Sequence, residues 1–453
     1  MKVILCLHHF LPAFIGGTEV YTFNLAKRLQ KQGIEPLILI PNFDDIENHE
    51  YGYEGVRVIE YAEASTEDRQ MIMGKKKPDG LAMFSRIIKD EQPDIVHFHE
   101  LAPGRGINIF HVETVFEKKI PVILTFHLSF YTCMKGSLLY RDEKSCDGVI
   151  RPGQCTACIY HEKGITGIKS ALLVGAAQTF FRLGVDPTVM NSSIGTALGF
   201  PFVINKIKTD LLRMAAMAST IVVLADWYKE VLLKNGVPRE KLVYLPQAIE
   251  METDFPKSKI REIVSPLKVV YIGRISEQKG LHLLTDAVSM LPEESISLTI
   301  YGPDADANYA RAIRQKTASK DNIHWMGAIP SSEVASVLLQ HDVLCIPSKF
   351  EMSPLVIQEA FAAGLPVLAS DVYGNAEQIR NGENGWLFKY KDAKDLSLKL
   401  SMLSEDPDLV KTAKQRLPVP QRFESIALKY AELYASLLNI KSLKVENSIS
   451  DNP

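Results

Sequence analysis

The chain predicts an α/β protein built from two doubly wound lobes facing each other across a cleft, and three observations carry that reading. Short runs rich in Val, Ile and Leu alternate with segments of helical period, the pattern of repeated βαβ units around a parallel sheet. That pattern occurs twice along the chain. A length of 453 residues also exceeds what one hydrophobic core ordinarily holds, so two large domains are expected.

In the first half the strands are predicted at Lys2–Leu7, Pro36–Ile40, Asp94–Phe98, Pro121–Phe126 and Thr220–Leu224. A helix is expected over Glu19–Gln32, with Gly33 ending it. In the second half the strands are predicted at Leu267–Ile272, Ser297–Tyr301, Asn322–Trp325, Val343–Ile346 and Pro366–Ala369. The stretch Ile249–Pro266 is charged, carries two prolines and has no period, which places the domain junction there. The expected domains are therefore residues 1–250 and 251–440. A helix near Ser425–Leu438 is expected to close the second lobe and pack back toward the first, and the polar tail 441–453 is expected to fray.

Hydrophobic residues make up 46% and charged residues 23%, ordinary values that exclude collagen-like, coiled-coil and disordered chains. Fifty-one basic against 54 acidic residues give a net charge of −3, so no nucleic-acid partner is expected. The apolar run Val3–Leu7 ends at His8 and His9, too short for the core of a secretion signal, and no run reaches the roughly eighteen apolar residues of a spanning helix. A cytoplasmic protein is expected.

Three segments carry chemistry. In Lys349–Ala360, Ser353 reads as an N-cap and Pro354 as the first residue of an apolar helix that Gly364 and Pro366 stop. The N–H groups of Ser353, Leu355 and Val356 would then point out of the carboxyl end of the sheet, a place that favours phosphate. Glu351 precedes that terminus, and Glu359 lies one and a half turns inside, where a carboxylate can accept hydrogen bonds from a vicinal diol such as a ribose. An arbitrary pair of glutamates would be solvated surface charge. In Val269–Gly280, however, Arg274 and Lys279 occupy the turn after the second lobe's first strand, where they would face the same anion. In the first lobe, Gly16 and Gly17 lie between strand and helix, where backbone can approach a ligand, although no GxGxxG fingerprint is present. His97, His99 and His127 each stand at a strand end facing the expected crevice, a position more often occupied by a structural histidine.

Taken together these residues resemble the nucleotide-sugar glycosyltransferases of family 4, which have the glycosyltransferase-B fold and retain anomeric configuration. The matching features run from Pro12-x-x-x-Gly16-Gly17-x-Glu19 through Gly273-Arg274-(x4)-Lys279-Gly280 and Glu351-(x7)-Glu359 to Ala369-Ser370-Asp371-x-x-Gly374-x-x-Glu377, most of the chain's length. Met352 and Gln247-Ala248 depart from the residues common in relatives and bear on donor and acceptor choice. The resemblance implies that Arg274 and Lys279 hold the donor diphosphate, Glu359 the ribose, and Glu351 hydroxyls of the transferred sugar. It places His127 on the acceptor side. No catalytic metal is expected, since Arg274, Lys279 and the helix terminus would supply the positive charge. Rival readings are a nucleotide-sugar epimerase of the same fold and a non-catalytic glycan- or nucleotide-binding protein.

Cys133, Cys146, Cys155 and Cys158 fall within 26 residues, and their spacing with intervening glycines suits a loop-rich knuckle around tetrahedral zinc. Such a site would be structural. An iron–sulfur cluster or four free thiols are the alternatives. Between Tyr160 and Ala215, six Lys or Arg stand against three acidic residues around the apolar stretch Ser170–Phe181. That composition allows peripheral contact with an anionic membrane carrying a lipid-linked acceptor, and equally a buried helix pair.

Overall fold

The computed structural model describes residues 1–63, 68–250 and 263–439. The tail 441–453 and most of the junction, residues 251–262, lie outside the described residues. The chain divides into two compact units. The first comprises Met1–Asp142, Cys146–Pro246 and the chain from Phe423 on, and the second comprises Gln247–Arg422 with Glu143–Ser145.

The N-terminal unit is built on an eight-stranded sheet. Its strands are β1 (Lys2–Cys6), β2 (Glu35–Asn42), β3 (His49–Tyr53), β4 (Val56–Ala62), β5 (Ile95–Phe98) and β6 (Val122–Thr125). Two short strands of the cysteine-bearing insertion, β7 (Leu139–Tyr140) and β8 (Lys144–Ser145), precede the last two of the sheet, β9 (Thr220–Val223) and β10 (Leu242–Tyr244). The order is β10-β9-β6-β5-β1-β2-β4-β3, parallel except for β3. Every residue of β5, β6 and β9 is buried, which explains their uninterrupted apolar character. The sequence reading misses β3, β4 and β10. The β3–β4 hairpin turns at Glu54-Gly55, and β3 (HEYGY) is a half-exposed edge strand with only aromatic residues to mark it.

In the C-terminal unit, six parallel strands, β11 (Leu267–Ile272), β12 (Ile296–Tyr301), β13 (Ile323–Gly327), β14 (Val343–Ile346), β15 (Val367–Ser370) and β16 (Gly385–Phe388), form one sheet. Their order is β13-β12-β11-β14-β15-β16. Successive residues along β11 and β14 feed two different apolar layers: Val269, Tyr271, Val343 and Cys345 join one, while Val270, Leu344 and Ile346 join the other. Both faces of the sheet are thereby covered. The strand order reverses between β11 and β14, so their carboxyl ends flank an open crevice.

The last helix spans Phe423–Leu437 and belongs to the N-terminal unit, the lobe toward which it is expected to pack back. Phe423, Ile426, Ala427, Tyr430, Ala431 and Tyr434 form a helical-period stripe that is buried against helix Gly17–Lys31. No described helix is long and apolar enough to cross a membrane.

Candidate functional site

In the C-terminal unit the crevice is assembled by close backbone contacts. Gly302 has φ of +152°, and a Cβ there would stand 1.8 Å from the carbonyl oxygen of Gly273, so only glycine lets the turn after β11 pass. The Tyr271 hydroxyl donates to the Arg274 carbonyl at 2.8 Å and holds that turn from below. Gly280, at φ +69°, lies where a Cβ would be 2.1 Å from the Pro347 carbonyl oxygen, so the loops after β11 and β14 touch. The Lys349 amide donates to the Gln278 carbonyl at 2.8 Å and joins them further. The loop after β15 is tied in as well. The Ser370 hydroxyl donates to the Ser348 carbonyl at 2.6 Å, and the Gly374 amide to the Glu351 carbonyl at 3.2 Å.

This framework brings Lys279 and Glu351 into an ion pair, Nζ to Oε1 2.6 Å, at side-chain exposures of 24% and 11%. Arg274 is exposed beside them in the same turn. The following helix spans Leu355–Ala362, one residue later than expected, because Pro354 rather than Ser353 occupies the N-cap position. The proline has φ −69° and ψ 121°, and no side chain caps the helix. The amides of Leu355 and Val356 therefore open the helix without intrahelical acceptors, the arrangement that favours an anion. Glu359 faces a different environment. Burial pushes its carboxyl up to about 7, and no opposite charge offsets that among the described residues.

In the N-terminal unit the order reverses between β5 and β1, and the loop after β1 runs to Gly16, which caps helix Gly17–Lys31 in extended conformation. Gly17 has open space around its Cβ position, whereas a Cβ on Gly16 would press on the Glu19 carboxylate. His97 and His99 are fully buried and His127 is 7% exposed. His97 is held on both sides, Nδ1 at 2.7 Å from the Tyr434 hydroxyl and Nε2 at 2.7 Å from Thr125 Oγ1. It is a structural residue. His99 Nδ1 lies 3.3 Å from His127 Nε2, and the Tyr21 ring meets His127 edge-on at 5.0 Å. Desolvation lowers all three histidines below their ordinary range, with His127 brought down to about 4 although the Glu100 carboxylate pulls it up.

Glu100, missed by the sequence reading, stands one residue beyond His99. Burial alone would raise its carboxyl, but the His8 ring and amide outweigh burial and bring it down to about 2. Its place at a strand end was a readable signal. Tyr430 and Tyr434 had none, since Tyr430 meets Tyr21 across 409 residues of sequence.

The four cysteines Cys133, Cys146, Cys155 and Cys158 form no disulfide and line one cavity of about 40 Å³. Among the described residues, no three His, Cys, Asp or Glu side chains stand at coordination geometry.

Two family models match, one in each unit: Glycosyltransferase Family 4 over residues 15–171 and Glycosyl transferases group 1 over residues 252–417. The chain belongs to this glycosyltransferase family. WcaL of Escherichia coli strain K12, named for colanic acid biosynthesis, is 27% identical over 48% of this chain and 56% of its own length. The amylovoran biosynthesis glycosyltransferase AmsK of Erwinia amylovora is 29% identical over 44% of this chain and 50% of its own. The chain thus spans about half the length of the curated relatives it matches. Sucrose-phosphate synthase from Thermosynechococcus elongatus superposes with a TM-score of 0.64 at 19% identity, covering 97% of this chain and 99% of that one. Anabaena HepE in complex with UDP-glucose superposes at 0.59 and 15% identity, covering 96% and 100%. Those likenesses show the glycosyltransferase-B fold of the family.

Proposed function

We propose that the chain moves a sugar from a nucleotide-sugar donor to a glycan or lipid-linked acceptor, with retention at the anomeric carbon, in synthesis of a cell-surface polysaccharide or glycoconjugate. The observation that carries this reading is the Lys279–Glu351 pair beside an uncapped helix start, at the point where the sheet order of the C-terminal unit reverses. The donor diphosphate accepts hydrogen bonds from the amides of Ser353, Leu355 and Val356 and charge from Arg274 and Lys279. Glu359 accepts from the ribose diol. Glu351 grips hydroxyls of the transferred sugar. The bond from the anomeric carbon to the diphosphate oxygen breaks, the acceptor oxygen bonds to that carbon on the same face, and the acceptor's proton passes to the departing diphosphate. Positive charge at the leaving group is where binding energy lowers the barrier. His127, neutral in its buried setting, serves the acceptor side, and Gly16 and Gly17 let backbone approach the ligand. Relatives support the substrate class: HepE binds UDP-glucose, and a Campylobacter jejuni relative 30% identical over 37% of this chain is named for transfer to a diphospho-undecaprenol acceptor.

The test follows the anomeric proton by NMR with an α-linked donor and cell-extract acceptors. An α product, with nucleoside diphosphate released only when acceptor is present, is the expected result. A β product overturns retention, and release without acceptor, or epimerised donor, overturns transfer.

Membrane contact belongs to the same proposal. Helix Gly167–Leu183 exposes Ile168 and Leu172 near its start and Leu183 at its end, with Lys163, Lys169 and Arg182 along the same stretch. An apolar, cationic surface of this kind favours an anionic bilayer. Ile168→Glu with Leu172→Glu is expected to reduce co-sedimentation with phosphatidylglycerol vesicles at least severalfold, and unchanged co-sedimentation removes the helix from that role.

A further inference from the structure

The cysteine insertion begins six residues after His127, and its four thiols meet in a single cavity whose remaining wall is largely aliphatic, including Ile150, Ile159, Ile204 and Ile207. Cys155 and Cys158 stand one turn apart on helix Pro152–Glu162 and so share a face. Cys133 and Cys146 arrive on loops, each followed within three residues by a glycine at φ +71°.

Backbone amides are aimed at each sulfur. Cys133 receives those of Lys135, Gly136 and Leu138, and Cys146 that of Gly148. Cys155 Sγ accepts from the Arg151 amide at 3.4 Å, and Cys158 Sγ from the Arg141 amide at 3.2 Å. A neutral thiol is a weak acceptor, and so many donors converging on sulfur suit thiolates. Four thiolates in an aliphatic cavity are untenable without a cation. The loop is also strained. Leu138, Arg141 and Asp142 all hold φ near +50° to +60°, a conformation that costs energy in non-glycine residues and persists only where its surroundings impose it.

We propose that Cys133, Cys146, Cys155 and Cys158 bind one zinc ion as a structural tetrathiolate, and that this ion fixes the loop carrying His127. On binding, the four thiol protons pass to solvent and side-chain rotation brings the sulfurs to coordination distance. A cation lies beside the resulting net negative charge. Lys135 Nζ is 4.0 Å from Cys158 Sγ and shares its charge with Asp142 at 2.7 Å. Four thiolates are the ligand set of a closed, structural tetrahedral zinc site. The link to His127 runs through the turn Ser129–Gly136. The Cys133 amide donates to the Ser129 carbonyl at 2.7 Å, and the Ser129 hydroxyl closes the turn on the Gly136 carbonyl at 2.7 Å.

The proposal is tested on the full chain purified without chelator. Elemental analysis is expected to give about one zinc per chain, released in step with mercurial titration of four thiols and read with a chromogenic chelator. Cys155→Ser with Cys158→Ser is expected to lose the metal, whereas Cys345→Ala, altering a cysteine buried far along the chain, is expected to keep it. Protein free of metal with four rapidly titrating thiols overturns the site, and iron with visible absorbance overturns zinc. Should the double variant fail to fold, the mercurial titration of wild-type protein still decides. The role toward His127 rests on the transferase reading and has its own readout: a nuclear magnetic resonance signal of the His127 ring that shifts on zinc release supports it. An unmoved signal overturns that role while leaving the metal site and the donor site standing.

Discussion

At the reversal point of the C-terminal unit, an exposed Arg274 and a partly buried Lys279–Glu351 pair stand on two loops, each residue within eight of a strand end. At the corresponding point of the N-terminal unit, His97 and His99 are wholly buried, and their partners come from β6, from helix Gly17–Lys31 and from a helix beginning at Phe423. Both sheets turn polar groups toward a reversal of strand order, yet one presents charge within reach of solvent and the other stores neutral, hydrogen-bonded rings. Solvent-accessible charge is available to a ligand at little cost to folding. Buried neutral rings fix geometry, and disturbing them is felt first as stability. The difference predicts that substitutions in the two places fail in different ways.

The largest effect is expected at the charged loops. Lys279→Ala and Arg274→Ala each remove one preorganised charge contact to the leaving group and should each raise the barrier by about 3 kcal/mol. Thermal unfolding should shift little for Arg274→Ala, whose side chain is exposed, and modestly for Lys279→Ala, which also leaves Glu351 without its ion-pair partner. Wild-type turnover in either variant removes the phosphate assignment. A large fall in melting temperature instead erases the contrast between the units.

Next comes the buried relay. Tyr434→Phe leaves His97 Nδ1 without its partner in a fully buried position, which should cost about 1–3 kcal/mol in denaturant unfolding. Donor-nucleotide affinity should be unchanged, because the substitution lies in the other unit. Unaltered stability shows that the histidine is satisfied some other way.

The same contrast explains what the sequence could disclose. The C-terminal site is made of short-range grammar: a strand, a turn with two cations, a strand, a loop with Glu351, and Pro354 opening a helix. Each step is local, so β11 and β14 are found at their observed bounds and only the helix start moves by a residue. The N-terminal site depends on pairings such as Tyr21 with Tyr430 and His97 with Tyr434, whose separation leaves no local pattern. An apolar stripe shows that the last helix packs on something, but the choice of unit is a tertiary decision. Strand β3 escaped for a different reason: a half-exposed edge strand, HEYGY, has no Val, Ile or Leu to resemble the buried parallel strands.

Glu359 gives the smallest effect and the finest distinction, because it is the one donor-site group that behaves like those of the N-terminal unit. Its carboxyl is raised to about 7 by burial, so in the ligand-free protein it is neutral below that pH and ionised above it. A ribose diol donates two hydrogen bonds and prefers the carboxylate. Affinity for donor should therefore be highest above pH 7 and fall as pH drops through it, by about tenfold between pH 8 and pH 6, equivalent to about 1.4 kcal/mol. A nucleotide-sugar is the right probe, since both its phosphates are esterified and neither titrates in that window. Glu359→Gln should bind more weakly at pH 8 and show a flat profile. If the wild-type profile is flat too, Glu359 is ionised before ligand arrives and must have a partner that burial does not reveal. If the variant keeps the wild-type slope, the titrating group lies elsewhere and the ribose assignment falls with it.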